Sequence, residues 1–275
     1  MLILCDLNPV QRIKRPYLTW AFAGASVLLT LALWFDAVPW QWLVWQPHRG
    51  WFPGLLLASL AHADPWHLVG NLLPILAFGD NVEDALGHAR FLLLILAAAL
   101  GGALAQYLAS PDMELFLGAS AVTSAVMGGY LLLHPKARVV VAFNVLIGLP
   151  MAFPAGLIVG TFLLANVIGA VTAPSSAIAW WAHLAGFLAG VLLTWLLRDP
   201  SVPILQPPQS AEAILAGTGA VQRRAFVLLD WLGSYKIRSG RSGERPAIEE
   251  LARRRFFHRF ILFVVLTLLG ELVLG

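Results

Sequence analysis

The chain has 275 residues, 59% of them hydrophobic and 12% charged, with a single cysteine and a formal net charge of +3. A mean hydropathy of +0.77, carried in long apolar runs, excludes a water-soluble domain, and one cysteine with no Cys/His spacing excludes a disulfide scaffold or zinc module. The small basic excess has no nucleic-acid recognition motif beside it, so it reports topology and contact with anionic lipid heads rather than nucleic-acid binding.

In chain order, Arg12, Lys14 and Arg15 precede an apolar run that is long and lacks a small-residue cleavage site. This predicts a first span at 17–36 and not a removed leader. Trp40, Trp42, Trp45 and Trp51 follow, in a Pro-containing loop suited to the headgroup level. With a requirement of about 20 apolar residues per spanning helix, further spans are predicted at 60–79, 90–109, 117–134, 152–172 and 178–197. The stretch 137–149 is apolar but short and is closed by Pro150 and Pro154, so it is expected to be extended or interfacial. Residues 199–256, with Pro203, Pro207, Pro208 and most of the remaining arginines, read as a polar segment outside the bilayer, with 226–232 lying on its surface. A seventh span is predicted at 257–274. The fold class is therefore all-α: a polytopic membrane helix bundle with a six-helix core over 1–198, a linker over 199–256 and a last helix over 257–275.

The basic residues fix the orientation. Arg12, Lys14, Arg15, Arg90, Lys136, Arg138 and Arg198 all fall at one set of helix ends, whereas the opposite loops hold only Arg49. The positive-inside rule places the first set, and the N-terminus, in the cytoplasm. The expectation is an integral multi-pass protein of a bacterial plasma (inner) membrane.

Polar residues inside spans are costly, and so are candidates for function. The second span carries His67 and Asn71, four apart and hence on one face, the fourth carries Ser120, and the sixth carries His183. These three spans run in the same direction, and each polar residue lies near its outer end. A serine becomes nucleophilic when an imidazole takes its proton, so Ser120 and His183 suit acyl transfer. Asn71, His67 and the free N–H groups at the start of the fourth span could serve the oxyanion. With no carboxylate in these segments, the sequence permits a Ser–His dyad and not a triad.

The stretches "HADPWHLVGNLLPILAFGDNVEDALGHARF", "GASAVTSAVMGGYLLLHPKARV" and "AWWAHLAGFLAG", in this order and spacing, resemble the rhomboid family of intramembrane serine proteases. The resemblance implies Ser120 as nucleophile, His183 as base, and His67 with Asn71 at the oxyanion hole. It further implies no cofactor, no metal, and cleavage of single-pass membrane proteins near the outer face. Gly186 and Gly190 form a G-x-x-x-G step that packs the sixth span, as a small-residue contact does, and Gly118, beside the serine in the fourth span, is likewise read as a helix-packing glycine. Ser124, one turn below Ser120, reads as a packing or back-bonding hydroxyl, and His62 and Glu83 as structural groups. The sequence departs from the family's G-x-S-G at Ala121, and from its usual glycines at Ala125 and Ala185. Each adds a methyl at a crowded contact. A pseudoprotease that binds membrane helices without cutting them, or a transporter lined by the polar residues, stays open on the residues alone.

Overall fold

The computed structural model describes residues 2–6, 8, 12–49, 52–113, 115–142, 151–174 and 176–207. The predicted segments at 226–232 and 257–274 lie outside these. Six long helices form the bundle: α1 (Tyr17–Trp34), α4 (Pro65–Leu86), α5 (His88–Ala109), α6 (Ser120–Leu133), α7 (Ala155–Thr172) and α8 (Trp180–Leu197). Two short helices, α2 (Trp40–Leu43) and α3 (Phe52–Ala58), and a 3-10 turn at Pro47–Arg49 fill the connection between α1 and α4. Among the described residues, four helices, α1, α5, α7 and α8, have the length and apolar composition to cross a membrane. The other two are enclosed. In α6 every residue from 121 to 130 is buried, and at 14 residues it reaches only about 21 Å, less than a hydrocarbon core of about 30 Å. It therefore begins below one face of the bundle, and an irregular strand of chain runs in to meet it.

The helix starts have local causes. In α4 the Asp64 carboxylate accepts the His67 N–H at 2.9 Å and Pro65 occupies the first turn, where a missing N–H costs nothing. The predicted start near residue 60 is displaced because residues 59–64 turn into the site instead. In α1 the cap residue Pro16 supplies no side-chain oxygen. The cap comes from another helix: Glu83 of α4 accepts the Leu18 N–H at 3.0 Å and the Thr19 N–H at 2.9 Å.

The predicted extended stretch after the fourth span contains β2 (Arg138–Ala142), which pairs antiparallel with β1 (Leu2–Asp6) on one side and with β3 (Met151–Pro154) on the other. Residues 143–149 of that stretch lie outside the described residues. This small sheet is an addition to the helical fold. It sits between α4, which β1 contacts, and α7, which β2 and β3 contact. Its backbone groups are paired across the three strands. Asp6 anchors it, accepting from the Tyr130 hydroxyl at 2.8 Å and from the Asn81 amide at 2.9 Å, while Asn8 donates to the Tyr130 hydroxyl at 3.0 Å.

The bundle's two ends differ in chemistry. At the sheet end, Arg12 pairs with Asp199 at 2.6 Å and Arg90 donates to the Leu197 carbonyl at 2.9 Å. The hydroxyl and N–H of Ser201, followed by the Arg12 guanidinium, hold the exposed Asp199 carboxyl well below the usual carboxylate range. Residues 199–207 are not detached from the core: the N–H groups of Asp199, Leu205 and Gln206 bond to the carbonyls of Ala85, Leu132 and Leu133. Exposed aromatic rings mark both ends, with Tyr17, Trp20 and Trp195 at the sheet end and Trp40, Trp42, Trp66 and Trp181 at the other.

The α6–α8 contact is the closest in the bundle. A Cβ added at Gly186 would overlap the Ala121 carbonyl, one at Gly190 the Ala125 carbonyl, and one at Gly128 the Phe187 carbonyl. Two helices thus meet backbone to backbone, where only glycine leaves room. Gly190→Val is expected to cost about 1–3 kcal/mol and to lower the thermal midpoint in detergent. Gly24→Ala, where nothing lies within 4 Å, should leave it unchanged and is the control.

Candidate functional site

The site lies where α6 begins, at the end of the bundle opposite Arg12, Arg90 and Asp199. Its base is the turn leading into α6. Phe116 and Trp45 form a two-way backbone bridge, each N–H bonding the other's carbonyl at 2.9 Å, and the Gly118 N–H bonds the Ala58 carbonyl at 2.8 Å. The α1–α4 connection therefore holds the turn from outside. Gly118 is not in a helix, contrary to a packing role within one. Its φ is +116°, and an added Cβ would lie 2.6 Å from His67 Cε1 and Nε2. Glycine is required here twice over, by backbone conformation and by the imidazole lying across it.

His62 fixes the next residue. Its Nε2 accepts the Ala119 N–H at 3.2 Å, so the ring proton sits on Nδ1, which faces the Thr30 hydroxyl at 3.3 Å. Burial, and then the charge His67 would carry, push the His62 imidazole down to about 3, so it stays neutral in this role. Its ring meets His67 edge to face, with centroids 4.9 Å apart.

Ser120 is the first residue of α6. The first helical N–H to bond back is that of Thr123, to the Ala119 carbonyl at 2.8 Å. The N–H groups of Ser120, Ala121 and Val122 precede it, and a helix start leaves such donors without an intrahelical acceptor. Ser124 Oγ bonds the Ser120 carbonyl at 2.7 Å and is fully buried, so this second hydroxyl is spent on its own helix. Thr123 Oγ1 lies 3.1 Å from both Asn71 Oδ1 and the Ala119 carbonyl. Asn71 in turn donates one amide hydrogen to the His67 carbonyl at 2.9 Å, which leaves its second for another acceptor.

A cavity of about 430 Å³ collects Ser120, His183, His67 and Asn71 on its wall, together with Thr123 and Phe162. Met127 and Ile3 also line it, so the β1 strand contributes to the same space as the helices. One residue that the sequence did not single out joins the group. Asn166 of α7 lies with its Oδ1 2.6 Å from His183 Nδ1.

The methyl of Ala121 does not enter the cavity. An added Cβ at Gly102 of α5 would meet it at 2.5 Å, and Ala121 clusters with Ala103 and Ala182 in a buried contact. The extra carbon is thus absorbed by a glycine on α5. Ala125 is likewise fully buried in the main core, and Ala185 is half-buried on α8.

The rhomboid domain family matches residues 45–200, which is more than half of the chain. The chain belongs to the rhomboid family. Its relatives include mouse Rhomboid-related protein 2, 29% identical over 194 residues, which cover 57% of this chain and 62% of that one. Yeast Rhomboid protein 1, mitochondrial, is 30% identical over 152 residues (51% of this chain, 40% of that one). Arabidopsis RHOMBOID-like protein 12, mitochondrial, is 28% identical over 149 residues (48% and 42%). The chain spans about two fifths to three fifths of the length of these relatives. Rhomboid membership agrees with a polytopic helical bundle, and the matched residues take in the whole cavity except Ile3.

The four residues that the sequence singled out as one candidate site, Ser120, His183, His67 and Asn71, all line one cavity. Asn166 gave no motif. The available signal was a carboxamide in an otherwise apolar span, which the cost of burying an unpaired amide makes conspicuous.

Proposed function

We propose that this rhomboid is an intramembrane serine endopeptidase that cuts single-pass membrane proteins near the outer face of the bilayer. The observation that carries the reading is the placement of Ser120 at the start of α6 on a cavity wall shared with His183. Ser120 Oγ attacks the scissile carbonyl while His183 takes its proton, and the same imidazole returns that proton to the leaving amine. A water then hydrolyses the acyl-enzyme by the reverse route. The developing oxyanion is met by N–H groups of the first turn of α6, with His67 and Asn71 beside them. The buried turn before Ser120, tied to Ala58 and His62, keeps these donors in place before substrate arrives. The concentration of Arg12, Arg90 and Arg198 at the sheet end supports a cytoplasmic N-terminus and a cavity on the outer side.

A fluorophosphonate probe tests the nucleophile directly. The purified full chain in detergent should be labelled, and Ser120→Ala should not. Labelling that survives the substitution sinks the assignment. Absence of labelling, combined with no cleavage of any transmembrane substrate, supports instead a rhomboid that binds membrane helices without cutting them.

A further inference from the structure

The hydrogen bond between Asn166 and His183 has a direction, and the direction decides which ring nitrogen is basic. Asn166 is buried, 3% exposed, and its Nδ2 donates to the Phe162 carbonyl at 2.8 Å, one turn back on α7. The carboxamide oxygen is therefore the atom that faces His183 Nδ1 at 2.6 Å, because turning the amide over would set oxygen against oxygen at Phe162. An oxygen without a proton can only accept. The hydrogen must lie on His183 Nδ1, and a neutral imidazole with a proton there has its lone pair on Nε2. The ring is further confined by Phe162, tilted 31° with centroids 6.2 Å apart, and by the edge of Trp180 at the same separation.

We infer that Asn166 is the positioning residue that fixes the tautomer and orientation of His183, so that the site works as a Ser120–His183–Asn166 chain with a neutral third member. The inference deepens the proteolytic reading and rests on it for its kinetic consequences. An orienting group that holds the base in the right tautomer without touching the reacting atoms acts on the chemical step more than on substrate binding. A carboxamide does this without charge. It orients the ring but adds no negative charge to favour the imidazolium, so a carboxylate in its place keeps the acceptor and changes the electrostatics. The contact also spans two helices, which makes the geometry of the base depend on where α7 sits.

The experiment has two arms on the full chain in detergent. In the first, histidine nitrogens are labelled with nitrogen-15 and the His183 signal is assigned by its loss in His183→Gln. Neutral His183 should carry its proton on Nδ1 in the wild type, and Asn166→Ala should redistribute it toward Nε2. A wild type protonated on Nε2, or a tautomer unchanged in Asn166→Ala, overturns the role whether or not the chain proves to be a protease. In the second arm, Asn166→Ala should lower kcat about 10- to 100-fold with KM within about threefold. Asn166→Asp should recover much of kcat while moving the acid limb of its pH profile to higher pH. A loss in Asn166→Ala seen only in KM, or an Asn166→Asp no better than Asn166→Ala and with an unmoved acid limb, would reduce Asn166 to a packing residue. Should the wild type itself show no Ser120-dependent cleavage, the proteolytic reading fails while the tautomer measurement still decides the positioning role.

Discussion

Ser120→Ala and His183→Ala are each expected to lower the rate of substrate cleavage by at least about 10³-fold, and the double variant should be no slower than the worse single one. The reason is that nucleophile and base act as a unit. Without the hydroxyl there is no atom for the imidazole to deprotonate, and without the imidazole the hydroxyl attacks only at its intrinsic, weak nucleophilicity. What survives in either variant is whatever positioning and oxyanion stabilisation the cavity supplies, so the losses cannot add. The measurement is single-turnover cleavage of a transmembrane substrate in detergent or vesicles, with initial rates for the two single variants and the pair. Multiplicative losses would show that the two residues act independently, which a shared proton transfer does not allow. Ser120→Ala, which removes only a hydroxyl on the cavity wall, should leave the thermal midpoint close to the wild type, whereas His183→Ala strips the buried Asn166 oxygen of its partner and should lower it.

The second large effect is on stability and concerns Glu83. It is fully buried near the sheet end of α4 and receives four hydrogen bonds. Oε1 accepts the Leu18 N–H at 3.0 Å and lies 2.5 Å from His88 Nδ1, while Oε2 accepts the Thr19 N–H at 2.9 Å and the Thr19 hydroxyl at 2.7 Å. Three of these donors belong to the first turn of α1, whose own cap residue is a proline. The carboxylate therefore caps α1 from a neighbouring helix, where a negative charge also meets the positive end of the helix dipole. Glu83→Ala removes the acceptor and leaves two backbone N–H groups and a hydroxyl with nothing to replace it. The expected cost is about 3 kcal/mol, read as a lowered midpoint of thermal or denaturant unfolding in micelles. Glu83→Gln, with one acceptor oxygen, should lose roughly half of that, and His88→Ala less again because its side chain is 45% exposed. A Glu83→Ala protein within about 0.5 kcal/mol of the wild type would show that α1 is held by its apolar contacts alone.

Particular residues show why some of this was legible in the sequence. The long helices were readable because an apolar run of sufficient length has one stable solution in lipid, a helix that satisfies its own backbone. Their boundaries moved where side chains made local bonds. Asp64 and Pro65 start α4 at 65 rather than near 60, and Gly118 with its positive φ keeps residues 117–119 out of α6. The sheet was half visible. Residues 137–149 read as extended because of their flanking prolines, but the partner strand β1 lies more than a hundred residues away, and nothing in "LILCD" announces it.

What the sequence determined by itself is the solvent, the order of the six long helices over residues 17–197, and the residue types able to perform acyl transfer. These follow from composition, run length and the motif around Ser120, all of which are local. What only the tertiary structure decided is where the close contacts fall. The Ala121 methyl, a suspect in the sequence, is harmless because Gly102 on a different helix receives it. Asn166, inconspicuous in its own helix, gains meaning because α7 brings it to 2.6 Å from His183. Contacts between helices are set by packing of whole surfaces, and a linear pattern carries the shape of each surface but not the position of the one that meets it.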